Sequence, residues 1–264
     1  MADLYLALIV GAFVGTAAGY LGSIMVSRRM ALVGDALSHV ALPGLAIGLM
    51  LNFNPFIGAF AFLAVAAVLT WHIQKRTTLP MEAIIGVIFV LALAIGILIT
   101  PQVDLLDALF GDISTVTMAD LLITVPVSLL VVMITRAIYD RLVLTMVSGE
   151  LAMSSGVHVD RINLAYLLLV AVIVAIGIKE VGTLLVGAVV IVPAAAARMV
   201  GTSLRRYSLM SASFGLISAL SGILISGFSG LPAGPMVVIS GAAIFAVMLS
   251  VRRISPIFHV PVQR

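Results

Sequence analysis

The chain contains no cysteine. Disulfides and thiolate ligands are therefore excluded, and any metal site has to be built from oxygen and imidazole groups. Charge is almost as scarce. Only 9% of the 264 residues are charged, while 62% are hydrophobic, against about 25% charged in an ordinary soluble domain. No soluble core accounts for that balance, so the composition reads as an all-α polytopic membrane protein. The chain has no separate hydrophilic domain, and residues 1–264 read as a single transmembrane domain. It also lacks a GxxxxGK phosphate loop followed by Ser or Thr, an HExxH zinc motif and a GxSxG nucleophile elbow, so it is not expected to bind nucleotide through a P-loop or to act as an enzyme. The net charge of +3 is small and clustered. Such clusters report membrane orientation rather than nucleic-acid binding.

What is present is a succession of apolar runs. A spanning helix needs about 20 apolar residues, and nine candidates appear: 4–25, 31–51, 56–73, 82–100, 119–138, 162–178, 182–197, 208–228 and 235–251. The first is too long for a signal-peptide core and has no basic segment before it, so it reads as a spanning helix. The run at 182–197 is the weakest, because Pro193 lies inside it, and eight spans result if it is dropped. The basic residues fall in every second connection: Arg28 and Arg29, then Lys75 and Arg76, then Arg141 and Arg161, then Arg198, Arg205 and Arg206, then the tail with Arg252, Arg253 and Arg264. The positive-inside rule then predicts an outer N terminus and a cytoplasmic C terminus.

Residues 27–44 read SRRMALVGDALSHVALPG. Two cations precede an apolar run that contains Asp35 and His39, four residues apart and so on one helix face about a turn apart. At 1.5 Å per residue from Arg29, Asp35 lies about 9 Å and His39 about 15 Å into the segment, close to the middle of a hydrocarbon core about 30 Å thick. A charge at that depth requires a partner or water. The plain alternative is a hydrogen-bonded pair that only joins helices. The functional alternative is a transient site for zinc, manganese or iron, all of which accept carboxylate oxygen and imidazole nitrogen. Two ligands on one helix bind weakly, as an ion that must leave requires. Ser38 is adjacent to His39 and points elsewhere, which argues against a hydrolase.

Other stretches carry secondary signals. Gly11, Gly15 and Gly19 form a small-residue ridge on which a neighbouring helix can lie closely, and Gly44 and Gly48 form a similar pair. The connection after the fourth run is acidic, with Asp104, Asp107 and Asp112. It is expected outside, where such groups raise the local cation concentration, and a short surface helix is expected at 104–110. Residues 140–161 form the longest cytoplasmic connection. Within it Ser148 can cap a short helix, Glu150 suits its first turn and Gly156 its end. Flanked by cations, that helix is a candidate docking element for a cytoplasmic partner. Pro43 and Pro193 each remove a backbone donor and mark helix irregularities. Lys179 and Glu180, neighbours in sequence, are expected at the outer interface, where they would contact a partner or join an ion pair.

The string RRMALVGDALSHVALPGLAIG resembles the signature of the bacterial zinc, manganese and iron ABC-importer permeases. The resemblance continues at LFGDIS (109–114), SGELAMSSGVHV (148–159) and VGTLLVGAVVIVPAAAARM (181–199), in the same order along nearly the whole chain. It implies a permease of the type II importer architecture in the bacterial inner membrane. Two copies would pair around a central path, served by a cytoplasmic ABC ATPase dimer and an extracytoplasmic metal-binding protein, with lipid around them. Asp35 and His39 would then match the metal path, with the metal as cargo and no cofactor held stably. Glu150, Leu151, Ala152, Gly156, Val157 and His158 would match the element that couples to the ATPase. Lys179 and Glu180 are more charged than that pattern leads one to expect.

Two other functions compete. A secondary carrier with Asp35 or His39 as proton relay would act without an ATPase and would carry an inverted repeat, but GDALSH has no counterpart in the second half. A metal-independent permease of the same architecture would have Asp35 and His39 facing lipid or another helix rather than a cavity.

Overall fold

A computed structural model describes residues 2–99, 116–183 and 185–254, and over these the chain is helical with no strand. Asp104, Asp107 and Asp112, with the surface helix expected at 104–110, lie outside the described residues. Among the described residues eleven helices follow in order: α1 (Ala2–Ser27), α2 (Ala31–Val40), α3 (Leu42–Met50), α4 (Pro55–Arg76), α5 (Met81–Ile99), α6 (Met118–Val147), α7 (Gly149–Ser154), α8 (Val159–Val181), α9 (Val186–Val200), α10 (Leu204–Ser229) and α11 (Ala233–Ile254). Each of the nine apolar runs is mainly helical over its described residues. Eight helices, with α2 and α3 counted as one, are long and apolar enough to cross a membrane.

The ninth run is α9. Its 15 residues give a length of about 22 Å, shorter than the hydrocarbon core. Its residues 186–197 are all buried or half-buried, packed among α1, α2, α10 and α11. A helix shielded by protein need not match the bilayer. The same shielding lets the helix continue through Pro193, which is itself buried, because protein covers the backbone that the missing donor leaves open.

The glycine ridge of α1 meets α10, from the far end of the chain, in the most extensive helix pair. A Cβ on Gly15 would lie 2.6 Å from the Gly215 carbonyl oxygen, and one on Gly19 would strike the Ser211 carbonyl. Ser211 donates its hydroxyl to the Gly19 carbonyl at 2.5 Å, and the Ser23 hydroxyl donates to that of Ser208 at 2.8 Å. Close backbone packing and interhelical hydrogen bonds replace the hydrophobic drive that lipid removes. The second glycine pair works alike. Gly44 meets Gly58, and a Cβ on Gly48 would lie 2.6 Å from the Pro55 Cα, which closes α3 against α4.

The connection expected at 140–161 is largely helical. Helix α6 runs on to Val147, α7 follows after Ser148, and α8 begins at Val159.

Candidate functional site: the polar face of α2

Helix α2 is packed between α5 and α9 and also touches α4 and α8. Asp35 and His39 are therefore interior to the bundle, both half-buried, and a turn apart on one face. Two neighbours shape the site. On the α9 side, a Cβ on Gly187 would fall 2.6 Å from the Cα of Asp35 and 2.7 Å from its Oδ1; only glycine permits α9 to lie this close to the carboxylate. On the α5 side, the Phe89 ring stands 5.4 Å from the imidazole, centroid to centroid. Nδ1 of His39 is buried and has no hydrogen-bond partner. Ser38 is buried and donates its hydroxyl to the Asp35 backbone carbonyl at 2.6 Å. It takes no part in the Asp–His face, and no hydrolase arrangement forms there.

The end of α2 is set by Pro43, which lacks an N–H for the carbonyl one turn back, that of His39. The Ala41 amide turns to that carbonyl instead, and α3 starts with Pro43 in its first turn. The irregularity expected at Pro43 thus lies directly beside His39. Pro193 bends no break into α9, but the buried helix that carries it is the one that presents Gly187 to Asp35. Among the described residues no group of three or more His, Asp or Glu side chains gathers. Asp35 and His39 are thus two candidate ligands from one chain.

The second candidate, α7, is built by local rules. The Ser148 hydroxyl accepts from the Leu151 amide at 3.2 Å, and Glu150 occupies the first turn. Gly156 ends the helix at φ 77°. Its amide donates to the Met153 carbonyl and that of Val157 to the Ala152 carbonyl, the Schellman pattern. Ala152 is fully buried, whereas Leu151 and Met153 are 50% and 60% exposed. Glu150, Gly156 and His158 are exposed and Val157 is half-buried. The residues expected to act together thus divide into an inward anchor (Ala152, with Val157) and an outward face.

The charged Lys179 has a specific environment. It forms an ion pair with Asp120, and its ammonium lies 5.6 Å from the Phe56 ring centroid. Asp120 is also the third residue of a capping box, accepting from the Thr117 amide at 2.7 Å. Thr117 and Asp120 have the spacing that signals such a box; nothing local signals Lys179 as the partner. Beside this pair an apolar cavity of about 430 Å³ lies between α1, α4, α6 and α8.

Arg28 was expected only as a marker of orientation. It is half-buried and donates to Thr145 Oγ1 at 3.0 Å and to Asn163 Oδ1 at 2.6 Å. Burial draws its guanidinium below the ordinary arginine range.

The arrangement matches known proteins. The model of the ABC 3 transport family covers residues 2–252. The manganese import system permease protein ScaB of Streptococcus gordonii is 32% identical over 245 residues, covering 91% of this chain and 88% of the relative. The high-affinity zinc uptake system membrane protein ZnuB of Haemophilus influenzae is 31% identical over 252 residues, covering 93% and 96%. The solved structure of PsaBC from Streptococcus pneumoniae in complex with Fab superposes with a TM-score of 0.83 at 30% identity, covering 94% of this chain and 91% of that one. An inward-facing metal-chelate type ABC transporter superposes at 0.72 with 20% identity, a likeness of fold alone. With a family match over nearly its whole length and relatives above 30% identity, this chain belongs to the ABC 3 transport family.

Proposed function

We propose that the chain is the membrane-spanning permease of an ATP-driven importer for a divalent metal ion, zinc, manganese or iron. The ion rests briefly on Asp35 and His39 during alternating access. The observation that carries this reading is the half-buried imidazole of His39, one turn from the half-buried carboxylate of Asp35 on an interior helix. That pair places carboxylate oxygen and imidazole nitrogen on one helix face, the donor types that zinc, manganese and iron accept. The relatives named as manganese and zinc permeases support the same cargo.

In this reading two copies pair so that each supplies an Asp35–His39 face, which makes up the ligand count. A cytoplasmic ABC ATPase docks on α7, whose Leu151 and Met153 face outward. An extracytoplasmic binding protein delivers metal to the end that carries Asp104, Asp107 and Asp112. The metal is cargo, and no resident cofactor is needed. The charge alternation places the N terminus outside and the C terminus in the cytoplasm of a bacterial cell. The secondary-carrier reading has no support: the family and the matched relatives are ABC permease components.

Metal uptake by the assembled transporter tests the proposal. Asp35→Ala and His39→Ala are expected to reduce uptake to background while the permease still co-purifies with its ATPase. Uptake that survives both substitutions would remove the site.

A further inference from the structure

Arg28 and Arg29 are adjacent and differ in every respect. Arg29 is exposed, at φ 60° on the turn out of α1. It suffices as the cation that marks this face of the membrane. Arg28 turns back into the protein. Its Nη2 donates to Thr145 on α6 and to Asn163 on α8, and its guanidinium lies 5.4 Å from the Tyr166 ring centroid. Tyr166 is fully buried and donates its hydroxyl to the Leu21 carbonyl at 3.0 Å. Thr145 in turn donates to the Leu142 carbonyl at 2.8 Å, so its oxygen is oriented to accept from Arg28. None of these partners is ionised. The guanidinium is half-buried, and these neutral groups position it.

That geometry is specific. Thr145 stands one turn before Ser148, the residue that caps α7, and Asn163 lies in the first turns of α8, which follows α7. The two acceptors are thus the limbs entering and leaving α7. Arg28 itself sits on the turn into α2, upstream of Asp35. One guanidinium nitrogen, Nη2, joins both limbs of α7 to the start of the helix that bears Asp35 and His39. On its open side Arg28 itself lines a cavity of about 520 Å³ together with Arg29, Gln74 and Glu82, which leaves room for this corner to move.

We propose that Arg28 is the positioning residue that couples the two halves of the transport cycle: it fastens α2 to the limbs of α7, so that movement of α7 is delivered to the Asp35–His39 face. This rests on the reading of α7 as the ATPase-docking element. Arginine suits the joint because its guanidinium offers several donors in a rigid plane, whereas a lysine ammonium is a single flexible point.

The test uses the complete transporter, permease with its ATPase, in liposomes, with uptake of manganese or zinc and ATP hydrolysis measured per assembled complex. Arg28→Gln should leave assembly intact and hydrolysis within about twofold of the parent while lowering ions moved per ATP about tenfold, the range in which coupling residues act. Arg28→Lys should fall between the two. If Arg28→Gln does not fold, Thr145→Val with Asn163→Ala removes both acceptors and should lower the same ratio. A loss of stability alone would lower the yield of complex but leave the ratio unchanged. A ratio unchanged in the folded variants, or uptake and hydrolysis falling in proportion, overturns the proposal. Leu151→Asp separates the two readings, because it should abolish assembly with the ATPase. Assembly that survives it removes the docking role of α7, whereas an unchanged ratio with assembly intact removes only the role of Arg28.

Discussion

Two of the acidic–basic pairs in the helices of this protein are treated in opposite ways. Asp120 and Lys179 are fully partnered, through an ion pair, a capping box and an aromatic face. Asp35 and His39 share one face of α2, yet Nδ1 of His39 has no partner. Ionisable groups in a membrane helix are costly in both places. In the first pair each group satisfies the other, and the result is a fixed joint between α6 and α8. In the second, part of the hydrogen-bonding capacity stays open, which is the condition for an ion to bind and then leave. The difference separates a structural pair from a candidate transport pair where composition alone treats them alike.

The contrast can be broken most directly at the open pair. His39→Ala or Asp35→Ala should remove metal uptake altogether with little change in thermal stability, and a large stability loss with uptake retained would reverse the assignment. Asp120→Asn or Lys179→Met should do the opposite. Removing one partner strands the other, and a half-exposed pair should lose about 1–3 kcal/mol, between exposed and buried ion pairs. Uptake per assembled complex should stay near the parent level, with thermal unfolding in detergent as the readout. Gly187→Ala sharpens the comparison, since its Cβ would strike the Asp35 backbone. Pushing α9 away by overpacking should cost about 1–3 kcal/mol and weaken uptake through Asp35 without replacing either side chain of the pair; parent-level uptake would show that the close approach is unimportant. The smallest effect is expected at Gly156→Ala. A side chain at its left-handed φ of 77° costs about 1–2 kcal/mol. That strain should loosen α7 and reduce ATPase binding, measured by co-purification, while metal binding at α2 stays unchanged.

Much of this was legible in the residues. The apolar runs become helices because a chain in lipid has to satisfy its backbone within each segment. The turn between Asp35 and His39 follows from helical periodicity alone. The cap at Ser148, the first-turn Glu150 and the left-handed Gly156 are local signals, and all three appear where local chemistry puts them. The weakness of the run at 182–197 was visible too, in Pro193 and the minimal loop before it. Its place inside the bundle was not visible, because burial depends on which helices surround it.

The residues by themselves determined the helices, their polar exceptions and the caps of α7, since each rests on neighbours within about two helical turns. Only the tertiary structure decided which exceptions find partners. Lys179 meets Asp120 at a separation of 59 positions, and Arg28 meets Thr145 and Asn163 at separations of 117 and 135. Gly187 lies against Asp35 only because α9 returns beside α2. Such contacts are set by how long helices pack, and no window of sequence contains both sides of them. The same packing leaves Nδ1 of His39 unpartnered.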